Sequence, residues 1–321
     1  MQPRLLQVCN VGRIVGGTAA CAWTVTRALP GFAHHVAFLA PVDAETTAAF
    51  RECVISQHER ITTATLIQLR PDVILLHNTP QARYPTGTSV STIQYLHSAI
   101  PNPAVADVTV CCSHWLAREL KMPEACVLWQ GVVKEVRHAR RNETLVVGRI
   151  CTPTPRKWPA ALVPFYAELA ARCPDVRWEF VGCPDGLQPR LQRACRGRAV
   201  FYPAGWSQRS RLAEWDVLLY CNRALPESFG RVVAEALRAG CIPVVDRLGG
   251  FVEQLPDDCG FLCDNIKEFA VALATLSNPA LRYAMSQRGV QHADRVFSLH
   301  QFARELLRRF DESAQRRESK C

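Results

Sequence analysis

Short apolar runs alternate with amphipathic stretches along most of the chain, the pattern of a parallel sheet covered by helices. Leu5–Val11 (LLQVCNV) is rich in β-formers and runs into Gly16-Gly17. Thr18–Leu29 reads as a helix and His34–Ala40 as a second strand. Residues 44–69 read as helical throughout. Pro71–Asn78 (PDVILLHN), Ser91–His97 (STIQYLH) and Asp107–Ser113 (DVTVCCS) are further short apolar runs, with a helix over HWLARELKM after the last.

The alternation then restarts. Glu143–Ile150, Val176–Gly182, AVFYP, Trp215–Cys221 and Cys241–Asp246 read as strands, with a helix near Pro159–Arg172. The polar stretch Lys134–Asn142 (KEVRHARRN) separates the two series as a linker. The expected fold is α/β, with two Rossmann-like doubly wound parallel-sheet domains facing a cleft. The boundaries are 1–136 and 137–321, with a final helix near Arg295–Phe310 packing back toward the first domain. Ligands of such sheets bind outside the carboxyl ends of the strands, so candidate chemistry belongs on the strand-to-helix loops.

Composition narrows the class. The 321 residues are 48% apolar, enough for a sizeable core, and no run of about 18 uncharged apolar residues predicts a membrane span. The N-terminus lacks a signal-peptide layout, so a cytoplasmic protein is expected. Fifteen cysteines are scattered singly in apolar contexts with no Cys-x-x-Cys pair, which favours small buried hydrophobes over bridges or zinc. Cys259 and Cys263, separated by three residues, have no second pair to complete a metal site. The net charge of +9 is mostly arginine and forms no basic block interleaved with aromatics. No nucleic-acid partner is expected; a phosphorylated ligand or an anionic membrane surface suits the charge. His114–Lys121 (HWLARELK) fits either a peripheral membrane contact or a packed surface helix, with packing favoured.

One segment concentrates candidate chemistry. PESFGRVVAEALRAGCIPVV sets Glu227 and Glu235 eight positions apart around Ser228-Phe229-Gly230. Ser228 reads as a helix N-cap, Gly230 as a point of close backbone approach, and Gly240 as the helix stop. The first-turn amides and helix dipole would suit a diphosphate. Were the segment fully helical, the two glutamates would lie about 12 Å apart along its axis, comparable to the reach from a ribose to a diphosphate-linked sugar. The alternative is a helix-start charge at Glu227 and a solvated charge at Glu235.

This segment resembles the signature of the retaining glycosyltransferases of family 4, which have the GT-B fold. VVGRICTPTPRKWP, with Arg149 and Lys157, is similar to that family's Val-Gly-Arg strand end followed by a lysine. VRWEFVGCPDG, WDVLLYC and DRLGGFVEQLPDDCGFL resemble the flanking segments, most strongly over residues 145–263. The resemblance implies that Arg149 and Lys157 neutralise the donor diphosphate and its leaving-group charge. It implies that Glu227, with the Phe229 and Gly230 amides, holds the transferred sugar, and that Glu235 binds the ribose. Ser228 belongs to the same donor-binding loop. In the first domain, Gly16 and Gly17 would approach the phosphates across the cleft, and His97 matches a histidine near the sugar; His77 is a weaker candidate. The chain departs from the family pattern in YCNRALPES ahead of the signature and at Pro203. The implied activity is retaining, metal-independent hexosyl transfer from a UDP- or GDP-sugar to an acceptor hydroxyl, with no further cofactor. A sugar-nucleotide epimerase and a catalytically inactive nucleotide-sugar-binding subunit are the alternatives. Acceptor, donor sugar and oligomeric state are left open.

Overall fold

The computed structural model describes residues 2–135 and 144–319. The linker predicted at Lys134–Asn142 lies, from residue 136 on, outside the described residues. The chain divides into two compact units, Met1–Val132 with Phe297–Cys321, and Val133–Val296. The second predicted block, 137–321, is therefore split: its last 25 residues belong to unit 1.

Unit 1 runs β1 (Arg4–Cys9), α1 (Gly17–Ala28), β2 (Ala33–Phe38), α2 (Ala44–Ala49), β3 (Val54–Gln57), α3 (Thr63–Leu69), β4 (Val73–His77), β5 (Ser91–Leu96), β6 (Val108–Cys111) and α4 (His114–Glu119). Its sheet is parallel, in the order β3-β2-β1-β4-β5-β6. Unit 2 runs β7 (Val146–Ile150), α5 (Leu162–Arg172), β8 (Arg177–Val181), α6 (Gln188–Ala194), β9 (Ala199–Tyr202), β10 (Val217–Tyr220), α7 (Arg231–Arg238), β11 (Ile242–Asp246), α8 (Phe251–Gln254), β12 (Phe261–Cys263), α9 (Ile266–Leu276) and α10 (Pro279–Val296). Its sheet repeats the arrangement as β12-β11-β10-β7-β8-β9. Both are the doubly wound order in which the winding reverses between the first and fourth strands. The last helix, α11 (Leu299–Glu318), belongs to unit 1.

The inner strands are buried on both faces, which is why they read as unbroken apolar runs. Val217, Leu218 and Leu219 of β10 have no exposed surface, and each such side chain contributes about 1.5–3 kcal/mol by leaving water. Gly148 of β7 leaves room for the Trp215 ring, which a Cβ there would overlap. The Trp215 indole in turn donates to buried Glu179 at 2.9 Å. The 14 described cysteines are all unbridged, most of them buried.

Two expectations fail for local reasons. Residues 44–69 are not one helix. Asp43 caps α2 by accepting from Thr46 N (2.8 Å), Thr62 caps α3, and between them β3 pairs with β2 from His35↔Val54 to Phe38↔Gln57. β3 is an edge strand with exposed ends, so it lacks the apolar signature of the inner strands. The helix expected near Arg295–Phe310 is broken at Phe297-Ser298. Ser298 is extended and its hydroxyl accepts from Gln301 N at 3.2 Å, starting α11 afresh.

Among the described residues no helix is long and apolar enough to cross a membrane. The HWLARELK stretch is a short packed helix: α4 buries Leu116 and Ala117, and Ser113 caps it.

Candidate functional site

In unit 2 the winding reverses between β7 and β10, and residues of the loops after these two strands converge there. Arg149 is the penultimate residue of β7, Lys157 follows on the β7–α5 loop, Tyr220 ends β10, and Glu227 lies on the β10–α7 loop. The Lys157 ammonium forms an ion pair with Glu227 Oε1, and the Tyr220 hydroxyl donates to the same oxygen. The two ion-paired side chains keep 16% and 19% of their surface, so the pair is shielded yet reachable. Burial, and then the neighbouring Glu227 carboxylate, push the Tyr220 phenol well above its ordinary value, which keeps it a hydrogen-bond donor.

Arg149 lies beneath this pair with no exposed surface. Its guanidinium donates to the backbone carbonyls of Lys157 (2.8 Å) and Cys221 (3.2 Å), one on each loop. It also sits 4.4 Å from the centroid of the Tyr220 ring and 5.1 Å from that of Trp158. Arg149, which the resemblance places beside a diphosphate, ties the two loops together through these carbonyls.

The backbone around Glu227 is held by the Gly249-Gly250 turn. Gly250 N donates to Glu227 O at 2.8 Å, and Gly249 has a positive φ of 62°. A Cβ at Gly250 would lie 2.5 Å from Ser228 O. Gln254, wholly buried, donates through Nε2 to Phe229 O and to Gly250 O. α7 starts later than its sequence suggests. Gly230 is its N-cap, in the left-handed region at φ 77° against the Phe251 ring, and no side chain caps the helix. Ser228 is therefore a loop residue and not the cap. Glu227 lies outside the helix, so the axial distance estimated for a continuous helix does not apply. Gly240 does end α7: its φ is 73°, and Cys241 N reaches back to Ala236 O at 2.9 Å.

Glu235, on α7, has different partners. It is 8% exposed and accepts from Arg231 Nε (2.7 Å) and Arg209 Nε (3.2 Å). Arg209 is also stacked on Trp206, 4.2 Å from its ring centroid. Nearby Glu135 has its carboxyl pushed up by burial and by Glu235. A glutamate expected either on a ribose or in solvent is thus enclosed by two guanidinium groups.

Gly16, Gly17 and His97 belong to unit 1. Gly16 caps α1 in extended geometry and Gly17 begins it, at the β1/β4 reversal. A Cβ on Gly17 would meet nothing within 4 Å, so the protein itself does not demand glycine there. His97 follows β5, 8% exposed, with both ring nitrogens engaged: Nε2 lies 2.9 Å from His77 Nδ1 and Nδ1 lies 3.0 Å from Gln130 Nε2. His77 is wholly buried, and its Nε2 lies 3.0 Å from Gln7 Oε1. Separately, a concavity of about 610 Å³ lined by Leu39, Gln57, His58, Arg60 and Arg83 opens at the carboxyl ends of β2 and β3.

Burial pushes the His77 imidazole down to about 3. Unfolded, an imidazole titrates near 6.5. Between these values the unfolded chain binds a proton that the native chain refuses. Stability is therefore lost as pH falls below 6.5, at up to about 1.4 kcal/mol per pH unit. His34, His35 and His292, also pushed down by burial, act in the same sense, and Asp246, pushed up, in the opposite one. Urea denaturation at pH 7 and pH 5.5 is expected to show this loss, with a shallower slope in His77→Gln. Equal slopes in both proteins would remove the assignment to His77.

Tyr220, Gln254 and the positional demand on Gly249 were not picked out from the sequence. Tyr220 carried one signal, a polar tip at the carboxyl end of an apolar strand next to the reversal point. Gln254 carried none.

Residues 141–278, less than half of the chain, match the family model Glycosyl transferases group 1. Over 96 residues the chain is 37% identical to the trehalose synthase of Rubrobacter xylanophilus, which covers 30% of this chain. The chain spans only 23% of the length of that relative. Among solved structures, a glycosyltransferase from Rickettsia africae matches with a TM-score of 0.77 at 14% identity, covering 98% of this chain and 99% of its own. Anabaena HepE in complex with UDP-glucose matches with a TM-score of 0.74 at 15% identity, covering 96% and 99%. Sucrose-phosphate synthase from Thermosynechococcus elongatus matches with a TM-score of 0.73 at 13% identity, covering 96% and 98%. At these identities the likeness is one of fold: two parallel-sheet Rossmann-like domains, as in GT-B glycosyltransferases.

Proposed function

We propose that the protein is a retaining glycosyltransferase that moves a hexosyl group from a nucleoside-diphosphate sugar, UDP- or GDP-linked, to an acceptor hydroxyl. The observation that carries this reading is the Lys157–Glu227–Tyr220 cluster at the reversal point of unit 2, within the segment that matches a glycosyltransferase family model. The relatives' donors add support, since one neighbouring structure holds UDP-glucose.

In this reading Lys157 offers a positive charge to the departing diphosphate, whose negative charge grows as the glycosidic bond breaks. Arg149 fixes Lys157 and Tyr220. Glu227 exchanges its Lys157 contact for sugar hydroxyls when donor binds, with Tyr220 holding the carboxylate in place. Glu235 turns one carboxylate oxygen to the ribose while Arg231 anchors the other. No side chain of the cluster is a free nucleophile: Glu227 is occupied by a cation and a phenol. That suits transfer on one face of the sugar, with the departing phosphate taking the acceptor proton and with no metal or further cofactor taking part in the transfer. The acceptor is assigned to unit 1, at the concavity beside β2 and β3.

The test is release of free nucleoside diphosphate from a panel of UDP- and GDP-sugars with and without acceptor hydroxyl compounds, with the product anomer read by NMR. Acceptor-dependent release with the donor's anomeric configuration kept is the expected result. Interconversion of the donor without release would replace transfer by epimerisation, and an inverted product would remove the retaining mechanism.

A further inference from the structure

Four buried polar side chains of unit 1 lie in one line, Gln130, His97, His77 and Gln7. The outer nitrogen of each imidazole is held by a side-chain amide, and the two inner nitrogens face one another at 2.9 Å. The line can be polarised in either direction, depending on how the amides turn, and either way a single proton is shared between the rings. Beside them, from α1, stands Cys21. Its sulfur and one nitrogen of each ring all lie within 4.8 Å of one another, with Cys21 and His77 wholly buried and His97 nearly so.

We propose that Cys21, His77 and His97 form a binding site for a thiophilic divalent cation, Zn²⁺ in class. Two imidazole nitrogens and a thiolate make a soft-to-borderline donor set of the kind zinc takes. A ligating histidine gives one nitrogen to the metal and its other N–H to an outer acceptor, which fixes its tautomer. His77 already stands this way, with Gln7 Oε1 outside it, whereas His97 Nδ1 faces the Gln130 amide nitrogen and takes up this arrangement once that amide turns. Zn–N bonds of about 2.0–2.1 Å put two tetrahedral nitrogens roughly 3.3 Å apart, so the inner pair must open by a few tenths of an ångström. The rings, now nearly coplanar at 9° with centroids 5.2 Å apart, must also tilt so that both nitrogens face the ion. The sulfur closes on the ion to about 2.3 Å. Three protein ligands leave a fourth position on a tetrahedral ion.

The binding step balances without any oxidant or reductant. The proton between the rings moves to the outer nitrogen of one imidazole as the adjoining amide turns its oxygen inward, and the Cys21 thiol loses its proton to solvent. One Zn²⁺ enters and one H⁺ leaves. The site lies wholly in unit 1, and it gives His97 a metal-ligating role in place of the sugar contact that the family resemblance implies.

Titration of the chelator-treated full chain with Co²⁺ tests it. One equivalent is expected to give a thiolate-to-cobalt charge-transfer band, displaced by Zn²⁺. Cys21→Ala is expected to lose the band and at least about 100-fold in affinity, and Gln130→Leu to keep the band with about 10–100-fold weaker binding. Absence of the band in the native chain, or unchanged affinity in folded Cys21→Ala, overturns the site. Should Cys21→Ala fail to fold, X-ray absorption of the zinc-loaded native chain decides. One sulfur near 2.3 Å with nitrogen ligands near 2.0–2.1 Å supports the site, and a shell of several sulfurs removes it.

Discussion

Replacing Lys157 by alanine is expected to lower kcat for sugar transfer by about 10²–10³-fold, the loss typical of removing one preorganised charge-stabilising group. Among the described residues of the Glu227 cluster, the ammonium is the cation that keeps accessible surface, since Arg149 is buried beneath it on backbone carbonyls. It is therefore the group able to meet charge developing on a leaving diphosphate. The loss should fall on kcat more than on KM, because that charge is larger in the transition state than in the bound donor. Stability should change by no more than about 1 kcal/mol: the pair is partly solvated, and Tyr220 still donates to Glu227 when the lysine is gone. Lys157→Arg keeps the charge but brings a wider planar fork to a spot shaped for one ammonium, so partial recovery is expected. The measurement is initial-rate kinetics of nucleoside diphosphate release alongside thermal melting. A kcat within about threefold of the parent, with the fold intact, would take Lys157 out of the mechanism.

How far the sequence announced this site differs residue by residue. The spacing singled out Glu227 and Glu235, and resemblance to a family motif singled out Arg149 and Lys157. Their partners were not legible. That Glu235 accepts from Arg231 could have been read from a four-residue helical spacing, but the second partner, Arg209, comes from a turn 26 residues away. Arg149 illustrates the limit best. The resemblance implied a diphosphate partner for its charge; what no sequence shows is that two of its donors reach carbonyls on two different loops. The fold was easier, because strands buried on both faces announce themselves by composition alone. Where burial is slight, as in the edge strand β3 with its exposed ends, that signal is missing and the residues read as helix instead.

The helix start is where sequence and structure diverge most usefully, because it moves the support of Glu227 from α7 to the glycines that follow β11. If Ser228 had capped α7, Glu227 would be set by helix geometry. With the cap at Gly230, the carboxylate sits on a loop whose backbone is fixed from outside by Gly249, Gly250 and Gln254. Gly249→Ala is therefore expected to damage both stability and catalysis. The residue is held at φ 62°, where an L side chain costs about 1–2 kcal/mol. Its new Cβ would stand 2.5 Å from Glu227 O and 3.0 Å from Glu227 N, backbone atoms that cannot swing aside as a flexible side chain would. Crowding of this kind costs about 1–3 kcal/mol, for a total loss of about 2–5 kcal/mol in urea denaturation. The relief available is displacement of the Glu227 segment, and a shift of about 1 Å at a reacting group costs about 10²-fold in rate. The Gly17→Ala variant is the control. It too adds one methyl beside a strand-end loop, but its Cβ meets nothing within 4 Å and its φ is not positive, so stability should be nearly unchanged. If Gly249→Ala keeps both the parent's stability and its kcat, the loop is not positioned by this turn, and the account of how Glu227 is held in place fails with it.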